Sequence, residues 1–209
     1  EVPVARKLVD YIQERAGANH VEGSISPEFN NVKPARRISR DVCGIGRGGI
    51  PVVISDRSSG LNFEFNQEAK PDYVYVGTED PDNLPDNMQL LVDAHVWKPR
   101  ANVFPYFIAS DAKELKNYDS PLKFIRLTYA DLNDQTLEVF KSDKAVVVIL
   151  STHHANGLGA QRAFMHKLLS SGCDVPVILH REYHETDIES LQIKAAADMG
   201  AMILDGFCD

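Results

Sequence analysis

The feature that most constrains the fold is an alternation of apolar runs and amphipathic stretches across residues 145–209. The continuous apolar runs predict strands that are covered on both faces, as in a parallel sheet. Apolar spacing in the stretches between them predicts helices, which Gly172 and Gly200 are expected to end. The predicted order is strand 145–150, helix 156–171, strand 175–179, a helix ending near 200 and strand 201–204. Two such units in succession predict parallel strands joined by right-handed crossovers.

A capping signal predicts where the second of these helices begins. Thr186 and Glu189 have the spacing of a capping box, in which the Thr hydroxyl and the Glu carboxylate satisfy backbone N–H groups reciprocally. From this start, the helix is expected to bury an apolar face made of Ile188, Leu191, Ala195 and Met199.

Upstream residues predict five more strands and weaker helices. The strands are expected at residues 50–55, 72–76, 89–92, 103–109 and 122–127, and the helices at 3–16, 60–69, 111–117 and 131–141, with at best a turn at 80–87. Eight parallel strands alternating with helices predict an α/β fold, a TIM-like (β/α)8 barrel. At 209 residues, the chain is shorter than the roughly 250 typical of that fold, so some outer helices should be reduced or missing. We expect residues 1–35 to form a helix and an irregular lead-in, and residues 36–209 to form a barrel-like domain excised from a longer chain.

Composition excludes several classes of partner. A net charge of -8 and a pI near 5.4 argue against nucleic acid and against an anionic membrane surface. No apolar run approaches the roughly 20 residues that span a bilayer, and no signal-peptide core precedes the first helix. Three widely spaced cysteines without a Cys-x-x-Cys pair predict reduced thiols, a cytoplasmic location and no cysteine-held cofactor in this chain.

Polar residues that directly follow the predicted strands form the candidate site, because strand ends meet at one mouth of such a barrel. The weak catalytic candidates are His153, His154, His180, Arg181, Glu182 and Asp205. Four of them, His153, His154, His180 and Glu182, could instead gather a divalent metal ion. The simpler interpretation is that these residues cap strand ends, since the sequence contains no His-x-His pair.

The expected mouth is poorly suited to a diphosphate. Carboxylates outnumber cations there, with only Arg57 and Arg181 clearly basic, whereas a diphosphate needs Arg, Lys or helix N-termini around it. The glycine-rich run 43–49 precedes a strand, whereas a dinucleotide-binding loop follows one, so it predicts a flexible lead-in or a hairpin at the barrel floor.

Two segments resemble a known family. Residues 180–200 (HREYHETDIESLQIKAAADMG), leading into 203–207 (ILDGF), and residues 150–157 (LSTHHANG) resemble the three-domain form of 4-hydroxy-3-methylbut-2-enyl diphosphate synthase, the form of plants, chlamydiae and Bacteroidetes. The resemblance covers most of the chain from Arg36 onward. Residues 36–54 also resemble the start of that enzyme's own catalytic barrel, as in a diverged copy.

The resemblance implies that this chain is the middle, insert domain of such a synthase. The family opens methylerythritol cyclodiphosphate reductively in the non-mevalonate route to isoprenoids, using a 4Fe-4S cluster held by a separate C-terminal domain. The cluster motif is absent here, so no catalytic or cofactor-binding residue is carried over. The implied role is a structural spacer that is inactive in isolation. The implied partners are the flanking barrel and cluster domains, with ferredoxin or flavodoxin as the electron donor.

Two other hypotheses remain open. One is a self-sufficient metal-dependent (β/α)8 enzyme that uses the His/Glu site at the mouth. The other is a regulatory small-molecule site inherited from an ancestral barrel.

Overall fold

The part of the chain that the structure describes forms a sheet of seven parallel strands, which pair strictly in chain order. The computed structural model describes residues 2–16, 20–30, 32–33, 35–61, 63–65, 70–79, 81 and 88–209. Within these residues the strands are β1 Ile54–Asp56, β2 Tyr73–Tyr75, β3 Gln89–Asp93, β4 Val103–Ile108, β5 Lys123–Leu127, β6 Val146–Leu150 and β7 Val177–Leu179. The sheet curls into a half-barrel, so the predicted TIM-like α/β fold with few outer helices is confirmed.

Helices cover mainly the second half of the chain. They are α1 Val2–Ala16, α2 Asp134–Ser142, α3 Gly157–Ser170, α4 Ile188–Ala195 and α5 Ala201–Leu204, with a π-helical turn at Ala196–Gly200 joining the last two. The helices expected at 3–16, 131–141 and 156–171 are therefore confirmed. Asn133 and Asn156 cap α2 and α3 by accepting backbone N–H groups with their side chains.

The helices predicted at 60–69 and 111–117 differ from the structure or lie partly outside the described residues. Instead of a helix at 111–117, the chain forms two separate 3-10 turns, Ala109–Asp111 and Leu115–Asn117. Of the helix expected at 60–69, residues 60–61 and 63–65 are not helical, and the rest lies outside the described residues. The turn expected at 80–87 also lies outside them, apart from Pro81.

The eighth strand expected at residues 201–204 is wrong, because this stretch is helical. Gly200 keeps a helical backbone, with φ -59 and ψ -38, so it continues the helix that it was expected to end. Met202 is fully buried, whereas Ile203 and Leu204 are exposed. One buried residue beside exposed neighbours is the pattern of a helix with one covered face, and an apolar run of four residues cannot be told from a strand by periodicity.

The predicted capping box is also wrong. Helix α4 begins at Ile188, and its cap is Asp187, whose carboxylate accepts the Ser190 amide N–H at 3.0 Å. The expected buried face is also wrong at its first two positions, because Ile188 is 71% exposed and Leu191 is 36% exposed.

The sheet is apolar on both faces, as the uninterrupted strands predicted. On β5 and β6, Ile125 and Val148 belong to the outer core under α2 and α3, whereas Phe124 and Ile149 belong to the inner core inside the curl. Apolar side chains therefore exclude water from both faces of the sheet at these strands. Side chains at alternate positions of each strand point into the barrel interior.

A tight hairpin closes the floor of the interior. Val42 and Ile45 exchange backbone hydrogen bonds of 2.9 and 3.0 Å, and both side chains are buried in the inner core. The turn between them needs positive φ at Cys43 and Gly44, a conformation that glycine adopts without cost. The hairpin predicted from the glycine-rich run is confirmed, and no phosphate loop is formed.

A cluster of polar contacts, here called the terminal latch, joins residues 37–39 to Asp209. Both carboxylate oxygens of Asp209 are used, one by the Ser39 hydroxyl at 2.6 Å and one by the buried Arg37 guanidinium at 3.4 Å. Arg37 also donates to the carbonyls of Cys173 and Val175 at 2.8 and 2.7 Å. The latch holds residues 37–39 against the chain around β7.

Candidate functional site

The carboxyl ends of the strands present a polar layer inside the curl. It consists of Asp56, Tyr75, Asp93, Tyr106 and Arg126, one residue from each of β1 to β5. The Tyr75 hydroxyl donates to Asp93 Oδ1 at 2.7 Å, and the Tyr75 and Tyr106 rings stack with centroids 4.2 Å apart. Burial raises the pKa of Tyr106 to about 12, so this phenol stays protonated at neutral pH. The layer is an ordered platform of phenols and carboxylates.

Arg126 supplies the positive charge of this platform. It lies half-buried on the inner face of β5 and lines a cavity of about 390 Å³. Within the described part of the chain its guanidinium makes no hydrogen bond or ion pair. A half-buried, unpaired guanidinium can bind a carboxylate or phosphate ligand by donating two parallel N–H hydrogen bonds to it. Of all mouth residues, Arg126 is the best suited to an anion.

The sequence prediction missed Arg126. It considered only residues that follow each strand, whereas Arg126 lies within β5. The signal was present in the strand itself, because Leu122, Phe124 and Arg126 alternate along one face and the first two are fully buried.

His180 is the one predicted site residue that reaches the cavity. It follows β7 and lines the same space as Arg126 and Asp56. Burial lowers its pKa, an effect that the nearby Glu182 carboxylate opposes and Arg126 reinforces. His180 Nε2 lies 3.9 Å from Glu182 Oε1. The imidazole is therefore held mainly neutral at pH 7.

The other two histidines lie apart from the cavity. His153 and His154 are exposed and line a separate shallow pocket beside Thr152, Arg181 and Glu182. His154 Nδ1 accepts the Asn156 amide N–H at 3.0 Å, which turns the ring toward its own loop. Among the residues that the structure describes, no group of three or more His, Cys, Asp or Glu side chains is placed to hold a metal ion.

Arg181 has a structural role that the sequence did not reveal. Its Nη2 lies 2.6 Å from Asp198 Oδ2, and both side chains are only 5% exposed. The same oxygen accepts the Tyr11 and Tyr183 hydroxyls at 2.7 and 3.1 Å. This four-residue group, here called the Asp198 clamp, ties α1 to the chain that follows β7. A Cβ at Gly157 would overlap the Arg181 guanidinium, so the clamp also requires glycine at the start of α3.

The two remaining mouth candidates also have partners elsewhere. Asp205 follows helix α5 rather than a strand, because residues 201–204 are helical, and its Oδ2 accepts Arg162 Nε at 2.6 Å. Arg57 places its guanidinium over the Phe65 ring, 5.0 Å from the centroid. Neither cation expected at the mouth is therefore presented to the cavity.

Comparison with known proteins identifies relatives along the entire chain. It is 66% identical over 209 residues to the 4-hydroxy-3-methylbut-2-en-1-yl diphosphate synthase (flavodoxin) of Parabacteroides distasonis. Identity is 45% over 210 residues to the protein of that name from Phocaeicola vulgatus, and 40% over 209 residues to that of Bacteroides thetaiotaomicron. All three alignments cover 100% of this chain but 34% of the relative. The resemblance seen in the sequence is confirmed.

The chain thus spans about a third of the length of the curated relatives it matches. A segment of that size is consistent with the insert domain expected from the sequence. No family model and no solved structure matches the chain.

The side chains present do not fit the 4Fe-4S cluster that the synthase resemblance implies. Cys43 is exposed and its thiol donates to the Pro121 carbonyl, whereas Cys173 is buried in the outer core. Cys208 is buried beside the terminal latch. The described residues contain no set of three ligating side chains, and we derive no step through a cluster on this chain. Nor does any helix in the described ranges have the length and apolar character needed to cross a membrane.

Proposed function

We propose that this chain is the insert domain of a three-domain 4-hydroxy-3-methylbut-2-enyl diphosphate synthase and acts there as a spacer. The observation that carries the proposal is similarity along the full chain to about a third of each synthase. The domain sets the distance and orientation between a substrate-binding barrel and a cluster-bearing domain. Reacting groups must be brought within a few ångströms for chemistry, so such positioning affects turnover directly.

The chemistry of the mouth supports a non-catalytic role. Arg181 is bound in the Asp198 clamp and Arg57 stacks on Phe65, so of these cations only Arg126 lines the cavity, which it shares with the Asp56 carboxylate. One cation among carboxylates is a weak site for a cyclic diphosphate. The reductive ring opening of methylerythritol cyclodiphosphate thus belongs to the flanking domains. Flavodoxin is the proposed electron donor, as in the name of the relatives, and the cytoplasm is the proposed location.

Helix α1 is the proposed contact with a flanking domain. Five of its apolar side chains are exposed, namely Val2, Val4, Leu8, Val9 and Ile12. The Asp198 clamp anchors the helix through the buried Tyr11, and Leu8 lies about one turn before Tyr11 on the same side of the helix. A helix that is anchored in this way and exposes apolar side chains is a suitable docking element between domains of one chain.

The proposal is tested with the full-length synthase and reduced flavodoxin. The variants Arg126→Ala and His180→Ala are compared with wild type for turnover of methylerythritol cyclodiphosphate, and α1 is tested with the double variant Leu8→Ser/Ile12→Ser. A spacer predicts that kcat stays within about twofold for the mouth variants and falls at least tenfold for the α1 variant, as expected when positioning is lost. Turnover by the 209-residue piece alone, or loss of kcat in folded mouth variants, would overturn it.

A second candidate function rests on Arg126. Its unpaired guanidinium, half-buried in the cavity that His180 also lines, favours a binding site for a small carboxylate or phosphate ligand, which would be regulatory. Calorimetric titration of the full-length protein with pathway diphosphates tests this. This candidate function predicts that wild type shows one binding event that Arg126→Ala loses while turnover persists. Equal binding stoichiometry in wild type and in Arg126→Ala would reject it.

The metal-dependent alternative has a direct test of its own. It requires a stoichiometric Zn or Mn in purified protein that His180→Ala removes. No arrangement of the described residues favours it over the spacer.

A further inference from the structure

The half-barrel has one open seam, which lies between its first and last strands. β1 pairs with β2, and β7 pairs with β6, but β1 and β7 are not paired with each other. The cavity of about 390 Å³ extends along this seam, with Val53 and Ile54 on one side and Ile178 and Leu179 on the other. The barrel is therefore incomplete: β1 and β7 are unpaired edges that face one mainly apolar cavity, whereas a closed barrel gives every strand two neighbours.

The backbone N–H and C=O groups of a strand point to opposite sides at successive residues, so the hydrogen bonds of β1 and β7 show which of these groups face the seam. On β1, the Arg57 N–H donates to Tyr75 at 2.7 Å and the Val53 carbonyl accepts from Asp72, so odd-numbered residues face β2. The N–H and C=O groups of Ile54 and Asp56 therefore point into the seam. On β7, the His180 N–H donates to Leu150 at 2.9 Å, so Val177 and Leu179 are the residues that face the seam.

Asp209 already occupies the first position of a strand in that seam. Its N–H donates to the Val177 carbonyl at 2.9 Å, and its carboxylate accepts the Val177 N–H at 3.0 Å. The same type of bond joins β6 to β7, where the Val148 N–H donates to the Pro176 carbonyl at 2.9 Å. Asp209 thus stands beside Ile178 in parallel register. It is reached from β7 through α4 and α5, which is the crossover that a parallel neighbour needs.

We propose that the polypeptide continuing from Asp209, in a protein of the relatives' length, enters the seam as the eighth strand and closes the barrel. The following residue would bond to β1, and the one after it to Leu179. The lining supports an apolar strand there. Met199 and Ile203 border the seam from the helical side, and Ile203 is 55% exposed without such a cover. The inference is independent of the proposed spacer role, because it concerns closure of the sheet.

Hydrogen exchange on the full-length protein tests closure at single amides. We expect the Ile54, Asp56 and Leu179 amides to exchange on the order of 100-fold or more slowly than unstructured amides, as in core strands. The Arg57 amide is the matched control, since it is bonded to β2 whether or not the seam is filled. Exchange of Ile54 and Asp56 at unstructured rates, with Arg57 protected, would overturn the proposal.

Proline substitution identifies which segment fills the seam. Proline at the first or at the second residue after Asp209 removes a donor to β1 or to β7, so each should restore fast exchange at Ile54 and Asp56. Protection that survives both substitutions, or that appears only at high protein concentration, would assign the seam to another occupant or a second copy and refute the proposal. Protection in dilute wild-type protein that both prolines abolish supports it.

Discussion

The two halves of the sheet consist of similar parallel strands but differ in what covers their outer face. Beneath α2 and α3, the outer core of β5 to β7 contains Phe140, Phe164 and Leu168, all fully buried. Outside β1 to β3, the core is a smaller cluster that includes Val74 and Leu90, and partly buried loop residues such as Phe63 and Phe65 cover it. Helix cover thus accompanies the larger buried cluster and loop cover the smaller one. Strand length does not follow the cover, because β1, β2 and β7 each have three residues.

The largest expected effect comes from one matched pair of core truncations. Leu168 and Leu90 are both 0% exposed. Leu168 belongs to α3 and packs in the outer core, whereas Leu90 belongs to β3 and packs in the smaller cluster that loop residues cover. We expect Leu168→Ala to cost about 4–5 kcal/mol in the free energy of unfolding and Leu90→Ala about 2–3, because loop cover can collapse into the cavity. Urea unfolding of both variants measures the difference. Equal losses would show that the two halves are packed alike.

The variant Asp198→Ala tests how much the Asp198 clamp stabilises the helices that cover the second half of the sheet. Asp198→Ala leaves Arg181 buried without its partner and should cost about 3 kcal/mol in unfolding free energy. Asp205→Ala is the control, since its pair with Arg162 is more exposed, at 41% for the arginine side chain, and should cost less than about 1 kcal/mol. Thermal unfolding ranks the two. A similar Tm for both would mean that the clamp adds no more than a surface pair.

Acid is expected to weaken the second half first. Burial lowers the pKa of His166 and His180, both in that half, so the unfolded chain binds more protons than the folded one below about pH 6.5. Stability should hold above that pH and fall below it, by at most about 1.4 kcal/mol per pH unit for each histidine. Unfolding between about pH 7.5 and 5.5 checks this. His166→Gln should flatten the slope.

The smallest effect concerns the helix cap of α2. The Asn133 side chain accepts the Thr136 amide N–H at 3.0 Å. Asn133→Ala should cost about 1 kcal/mol, and Asn133→Asp should restore most of it. Chemical unfolding of the two variants tests whether helix cover depends on this cap. If both variants match wild type, tertiary packing alone holds α2.

The sequence predicted the second half of the sheet best, for a physical reason. Strands 145–150 and 175–179 are apolar at every position because helices cover them, and such runs have few alternative structures. Residues 201–204 are equally apolar but too short to distinguish helix from strand, and hydrogen bonding to Val177 begins only at Asp209.

The site was less predictable than the fold. Arg126 lies within β5 and was missed because the candidates were taken only from residues that follow each strand. Arg181 was predicted to lie at the mouth, but it pairs with Asp198, which is 17 positions further along the chain. The π-helical turn Ala196–Gly200 carries Asp198 to this contact. Pairings of that kind depend on how helices pack, which residue spacing alone does not encode.

The terminal latch has a consequence for folding kinetics. Each strand pairs with its sequence neighbour, whereas Arg37 and Asp209 are separated by 172 positions. Loop-closure entropy makes so long a contact slow to form, so it is completed after the strand pairs have assembled. An interaction absent from the transition state alters the unfolding rate and leaves the refolding rate nearly unchanged. The latch therefore governs how long the folded domain survives rather than how quickly it is made.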